Sequence, residues 1–115
     1  MMPADIQIFD NQDFGKLRAI KDVTENIWFS ALDVAKALGF RDSGSVTRLL
    51  DDDEMSWSAE LPHNVGEFPT QNVRNKNGIR VISEAGFYRV VMVSRSASAA
   101  PFQRWVTHAV IPAIR

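Results

Sequence analysis

The stretch Phe29-Ser30-Ala31-Leu32-Asp33-Val34-Ala35-Lys36-Ala37-Leu38-Gly39-Phe40 constrains this chain more than any other. Ser30 followed by Asp33 is a capping box of the S-x-x-D kind, which satisfies backbone donors left open at a helix start. Phe29 before the cap and Val34 four residues after it supply the matching hydrophobic staple. Ala31, Val34, Ala35 and Leu38 fall at i, i+3, i+4 and i+7, one apolar stripe on one helix face. Gly39 stands where a left-handed residue closes a helix. A short helix with both ends marked follows from these residues.

Arg41-Asp42-Ser43-Gly44-Ser45 is turn chemistry, and Ser43 or Ser45 is expected to cap a second helix. Val46, Leu49 and Leu50 would face inward, with Ser45, Thr47 and Arg48 outward. A helix, a glycine turn and a short helix with polar and basic outward residues make the outline of a helix-turn-helix. Ala35 and Gly39, four apart, would let the two helices approach closely. The turn is about one residue longer than the tightest form of that motif. The same outline fits an ordinary helical hairpin packed on a sheet.

Ahead of this pair, Ile6 and Ile8 alternate with polar neighbours as in a short half-buried strand. After a turn at Asp10-Asn11-Gln12-Asp13, Phe14 to Lys21 reads as a second strand, with Leu17 and Ala19 on one face and Lys16, Arg18 and Ile20 on the other. Asp22 to Asn26 turns the chain into a third strand at Ile27-Trp28-Phe29. Behind the pair, Asp51-Asp52-Asp53-Glu54 reads as a solvated helix exit. Consecutive carboxylates share no helix face and lack calcium-loop spacing, so no metal is expected. Such a run would also repel phosphates and should point away from DNA. Residues 55–69 contain two prolines and a glycine without a clear period and read as a loop, with Trp57, Leu61 or Phe68 pinned to the core. His63 in that loop has no partner for catalysis.

Asn75-Lys76-Asn77-Gly78 separates two strand-forming runs, Thr70 to Arg74 and Ile79 to Ile82. Asn-Gly in that setting is a strong hairpin signal. Arg74, Lys76 and Arg80 make it the densest basic patch in the sequence, suited to a wing against phosphates. An edge hairpin whose charges block aggregation has the same composition. Ser83 caps the next helix, with Ile82 and Phe87 as its staple. Phe87, Tyr88, Val90, Val91, Met92 and Val93 wrap that helix, which implies burial on more than one side. Pro101 opens the last helix. Its stripe would be Phe102, Trp105, Val106, Ala109 and Val110, with His108 beside it, and Pro112 is expected to kink or end it. The chain closes at Arg115 on a helical pattern, as a domain from a longer protein would.

The 115 residues, 45% hydrophobic, suit one domain with one core. A formal charge of −1 excludes a wholly basic nucleic-acid coat, so any such contact must be a local patch. With no cysteine, there is no disulfide, thiol nucleophile or cysteine-held zinc. Neither a signal peptide nor an apolar run long enough for a membrane span is visible, which points to a soluble, cytoplasmic chain. The two histidines lack an acid, thiol or serine arrangement, and no phosphate-cradling glycine loop occurs, so an enzyme is not expected and no cofactor is implied.

Three blocks stand in a set order: Trp28-Phe29 with Asp33-Val34-Ala35-Lys36-Ala37-Leu38-Gly39, then Ile82-Ser83-Glu84-Ala85-Gly86-Phe87-Tyr88-Arg89, then Ser94-Arg95 with Pro101-Phe102-Gln103-Arg104-Trp105-Val106 and Ile111-Pro112-Ala113-Ile114-Arg115. In this order they resemble the Bro-N domain. Bro-N is the N-terminal domain of baculovirus BRO proteins and of phage or prophage antirepressors. The resemblance runs from about residue 5 to 115, and the stretch at 55–69 departs from it by its length. It implies a single regulatory domain over 1–115, the N-terminal part of a longer antirepressor, that binds DNA and relieves repression of phage genes. It carries no catalytic residues to transfer.

The expected fold is α+β, a small antiparallel sheet with about four helices packed on it, including the helix-turn-helix-like pair and the hairpin. Charge and helix position nominate Arg41, Thr47 and Arg48 for a groove of double-stranded DNA and Arg74, Lys76 and Arg80 for its phosphates. A homodimer would be the usual way to gain affinity from so small a footprint. The alternative is a protein-interaction module that binds and inactivates a phage repressor without touching DNA, with Trp28 or Trp57 as exposed anchors.

Overall fold

Asn11 builds the first turn with its own side chain, its Oδ1 accepting from the N–H groups of Asp13 and Phe14 at 2.7 and 3.2 Å. In the computed structural model, which describes residues 6–61 and 78–115, this turn joins β1 (Ile6–Asn11) to β2 (Gly15–Lys21). The pairing is antiparallel and one-for-one from Ile6 opposite Ile20 to Asn11 opposite Gly15. A second turn is built around the buried Asp22. Its Oδ1 accepts from the N–H groups of Thr24 and Asn26 at 2.9 and 3.0 Å, and its Oδ2 accepts from the Trp28 indole at 3.0 Å. That turn delivers β3 (Ile27–Ser30).

The sheet is completed by β4 (Met55–Trp57) and β5 (Arg80–Ser83), in the order β1-β2-β3-β5-β4, with every neighbouring pair antiparallel. One face carries Leu17, Ala19, Phe29 and Ile82 into the main core. The other carries Ile20 and Val81 into a smaller cluster with Leu61 and Trp28. Residues 55–57, expected in a loop, are therefore a strand. Three residues are too few to show a period, and it is pairing to β5 that orders them. The first arm of the expected hairpin and its Asn-Gly turn up to residue 77 lie outside the described residues. Its second arm is β5, whose described partners are β3 and β4. In β1 the expected inward face is reversed: Ile6 and Ile8 are exposed, and Phe9, opposite Leu17, packs against the core.

Helix α1 (Ala31–Leu38) has the ends its sequence marks. Ser30 Oγ accepts from the Asp33 N–H at 3.2 Å, and Gly39 at φ 76 turns the Phe40 N–H back to the Ala35 carbonyl at 2.8 Å. A Cβ at Gly39 would meet nothing within 4 Å, so the left-handed backbone, not close helix approach, requires glycine there.

Helix α3 (Glu84–Val93) starts at Ser83, whose Oγ accepts from the Gly86 N–H at 3.0 Å. It buries Phe87, Val90 and Val91 between the sheet and the last helix, but Met92 and Val93, also expected inward, are exposed. Gly86 marks the closest approach, since a Cβ there would lie 2.9 Å from the Glu54 carbonyl oxygen and 3.1 Å from Leu50 Cδ1. Helix propensity favours Gly→Ala by up to about 1 kcal/mol, and overpacking opposes it by about 1–3 kcal/mol. Gly86→Ala is expected to destabilise on balance. A urea midpoint moved upward would show that this contact yields easily.

The last helix runs as α4 (Ala99–Trp105), a π turn (Val106–Val110) and α5 (Ile111–Ile114). Pro112 neither ends nor breaks it. Proline lacks the N–H that would bond the carbonyl four residues back and crowds that carbonyl. The chain answers by widening one turn, so that the Ile111 N–H reaches the Val106 carbonyl five residues back. The extra residue shifts the apolar phase. Val106, Val110, Ile111 and Ile114 are buried, whereas Ala109, placed inward by a regular period, is exposed.

Candidate nucleic-acid interface

After Gly39 the chain crosses three residues and enters α2 (Ser43–Thr47). Its cap is Asp42 rather than Ser43 or Ser45. The Asp42 carboxylate accepts from the Ser45 N–H at 2.8 Å and from the Ser45 hydroxyl at 3.0 Å. Asp outcompetes Ser here because its charge also faces the positive helix start. The Ser45 N–H holds the Asp42 pKa below its ordinary value, helped by the Ser45 hydroxyl and then by Arg41 and Arg48.

The helix ends after five residues, and the N–H groups of Leu49 and Leu50 bond to Val46 and Thr47 carbonyls at 3.1 Å each. These three-residue turns break the helical phase. Val46 and Leu50 go inward as expected, but Leu49 is turned out to 36% exposure. α2 packs on α1.

Arg41 is open, with 91% of its side chain exposed and Asp42 4.0 Å away. Arg48 is exposed and its Nε donates to the Gly44 carbonyl at 3.1 Å. Thr47 is half-buried and its Oγ1 donates to the same carbonyl at 3.3 Å. Arg41, Thr47 and Arg48 therefore share one small surface around α2, with one acid, Asp42, between the two arginines. Arg80 belongs to another place. Its guanidinium lies over the Trp57 ring at 4.7 Å and its Nη2 is 3.1 Å from Met55 Sδ, which ties it to β4. Arg74 and Lys76, like His63, lie outside the described residues.

Two arrangements on the same framework were not legible from spacing. The first is Asp33, 6% exposed at the start of α1. Its Oδ2 accepts from the Arg18 backbone N–H at 2.8 Å and Nε at 2.9 Å, and its Oδ1 from Nη2 at 3.1 Å. The capping-box acid thus reaches across to β2 instead of back to its own cap. The second is Arg89, which reaches Asp51 and Glu54 at 3.5 Å each. The carboxylates of Asp51, Asp53 and Glu54 lie within 4.8 Å of one another. The Asp51 N–H donates to the Glu54 carboxylate at 2.9 Å, so this run closes a short turn as well as facing solvent.

The tryptophans are not free anchors, since Trp28 is half-buried with its N–H on Asp22 and Trp57 lies under Arg80. The open apolar side chains include Met92 and Val93, 80% and 50% exposed. Val93 borders a groove of about 470 Å³ with Leu38, Phe40, Ser94, Arg95 and Ser96. His108 is exposed on the last helix. Among the described residues, no helix is long and apolar enough to cross a membrane.

The family model described as BRO family, N-terminal domain (Bro-N) matches residues 16–112. No curated protein and no solved structure matches the chain.

Proposed function

Because the chain belongs to the BRO family, as an N-terminal domain of it, we propose that it is the DNA-binding regulatory domain of a prophage antirepressor-like protein. In this reading it relieves repression of phage genes and forms the N-terminal part of a longer chain. The observation that carries it is the pair Arg41 and Arg48, two exposed guanidiniums on either side of the short helix α2. Among the described residues Arg48 has no carboxylate within ion-pair distance, and the acid beside Arg41 is occupied in capping α2. Two such cations answer adjacent phosphates, and Thr47 between them offers a hydroxyl to a base edge.

The test is anisotropy of labelled duplex DNA from the neighbourhood of the gene, titrated over a salt series. Affinity should fall steeply with salt, and Arg41→Ala with Arg48→Ala should flatten the log–log slope by roughly 2, one counterion per lost phosphate contact. Absence of binding at low salt would remove the DNA reading, and a slope indifferent to the double variant would remove the α2 surface as its contact.

A second reading, an interaction module that inactivates a repressor, is favoured by Met92 and Val93. Apolar side chains this open, Val93 of them bordering the groove, suit a protein partner better than a phosphate backbone.

A further inference from the structure

Among the described residues no strand covers the outer edge of β1, whose one described partner is β2. Sheets ordinarily guard such an edge with lysine, proline, a bulge or a covering element. Ile6-Gln7-Ile8-Phe9-Asp10-Asn11 contains neither lysine nor proline, and its pairing with β2 is unbroken over all six residues, so no bulge turns it away. Ile6 and Ile8 are 45% and 56% exposed on the face opposite the helices. An edge this regular and this apolar is a template for another strand.

We propose that β1 pairs antiparallel with β1 of a second copy of this chain, about a two-fold axis at Ile8, joining the two sheets into one. The strand is complementary to itself in this register. Opposed residues in an antiparallel pair point to the same face, so a two-fold pairing joins only positions of equal parity. Centring on Ile8 sets Ile8 against its own copy, Gln7 against Phe9, and Ile6 against Asp10. The exposed isoleucines of both copies then gather on one face, which removes apolar area that neither copy covers alone. The one charge of the strand, Asp10, already faces Lys16 across β2, and in this register it meets an isoleucine stem rather than the other Asp10. A two-fold contact closes on itself and stops at a dimer.

The chain has no cysteine, so one introduced thiol reports the contact unambiguously. Directly opposed Cβ atoms stand about 4.5–5.5 Å apart, close to the span a disulfide bridges. Ile8→Cys should form a covalent dimer on mild oxidation, whereas Met92→Cys, on an open helix position, should not. In sedimentation over a concentration series, Ile8→Lys should weaken the dimer at least tenfold while leaving the far-ultraviolet circular dichroism spectrum unchanged, since Ile8 is not a core residue. Three results would overturn the proposal: a wild-type chain that stays monomeric throughout, a dimer that Ile8→Lys leaves intact, or cross-linking through Met92→Cys as fast as through Ile8→Cys. None of these experiments contains DNA, so they stand apart from the test of the regulatory reading.

Discussion

Asp33→Ala is expected to lower the unfolding free energy by about 3 kcal/mol, near the range for breaking a buried ion pair. That should bring the thermal midpoint down by roughly 10–15 °C for a domain of this size. The reason lies in what the carboxylate holds. It satisfies the Arg18 backbone N–H and two guanidinium nitrogens, while the cap bond to Ser30 comes from the Asp33 backbone N–H and survives the change. Removing it strands a backbone donor of β2 at the point where its register with β3, described from Ala19 to Lys21, has ended. It also leaves a charge that is only 27% exposed without its partner. Arg18→Ala should cost less, because Asp33 keeps the backbone donor and gains access to water. A double-mutant cycle over Arg18 and Asp33 should give a coupling of about 1–2 kcal/mol. Additive single effects would mean that the guanidinium contributes nothing and that the backbone bond alone matters.

That pair also shows where the sequence is readable and where it is not. Ser30, Asp33 and Gly39 mark α1 because capping chemistry is local, acting within four residues of the chain. The destination of the Asp33 carboxylate is not local. Its partner stands fifteen residues earlier on a strand, and an acid at that helix position is equally at home bonding its own cap. The same division runs through the rest of the fold. The β1–β2 and β2–β3 turns are legible from Asn11 and from Asp22 with Thr24 and Asn26, which bond their own neighbourhoods. β4 is not, because nothing in Met55-Ser56-Trp57 favours a strand until β5 lies beside it.

In the candidate interface, Arg48 is placed outward by local phase and Arg41 lies in the turn before it, and the structure has both exposed. Arg80 reads in the sequence as part of a basic hairpin, while in the fold it is drawn onto Trp57 twenty-three positions earlier. Aromatic stacking and a strand neighbour decide its position, and neither is visible in a charge count.

Phe102→Ala should have the largest effect of all, about 4 kcal/mol by urea unfolding, within the range for deleting a fully buried phenylalanine. Phe102 is fully buried and holds two aromatic neighbours in edge contact, Phe14 at 5.3 Å and Phe87 at 5.8 Å, with Phe87 in turn 5.2 Å from Phe29. This chain of rings crosses the core from the β1–β2 turn through α4 and α3 to β3, linking elements that share no local sequence. Phe102→Leu keeps most of the apolar volume but loses the edge geometry, worth about 0.5–1.5 kcal/mol per pair, so it should cost about 2 kcal/mol. Against the 5–15 kcal/mol typical of a whole domain, the alanine change leaves little margin at physiological temperature. The helix itself does not depend on this ring for its register, because Pro112 and the π turn fix that further along. The helical signal in circular dichroism should therefore vanish in the same cooperative transition as near-ultraviolet aromatic ellipticity, only at lower urea. A loss below about 1.5 kcal/mol would mean that the surrounding side chains close over the cavity. Separate transitions for the two signals would mean that the last helix folds apart from the sheet, and that the ring chain does not join them.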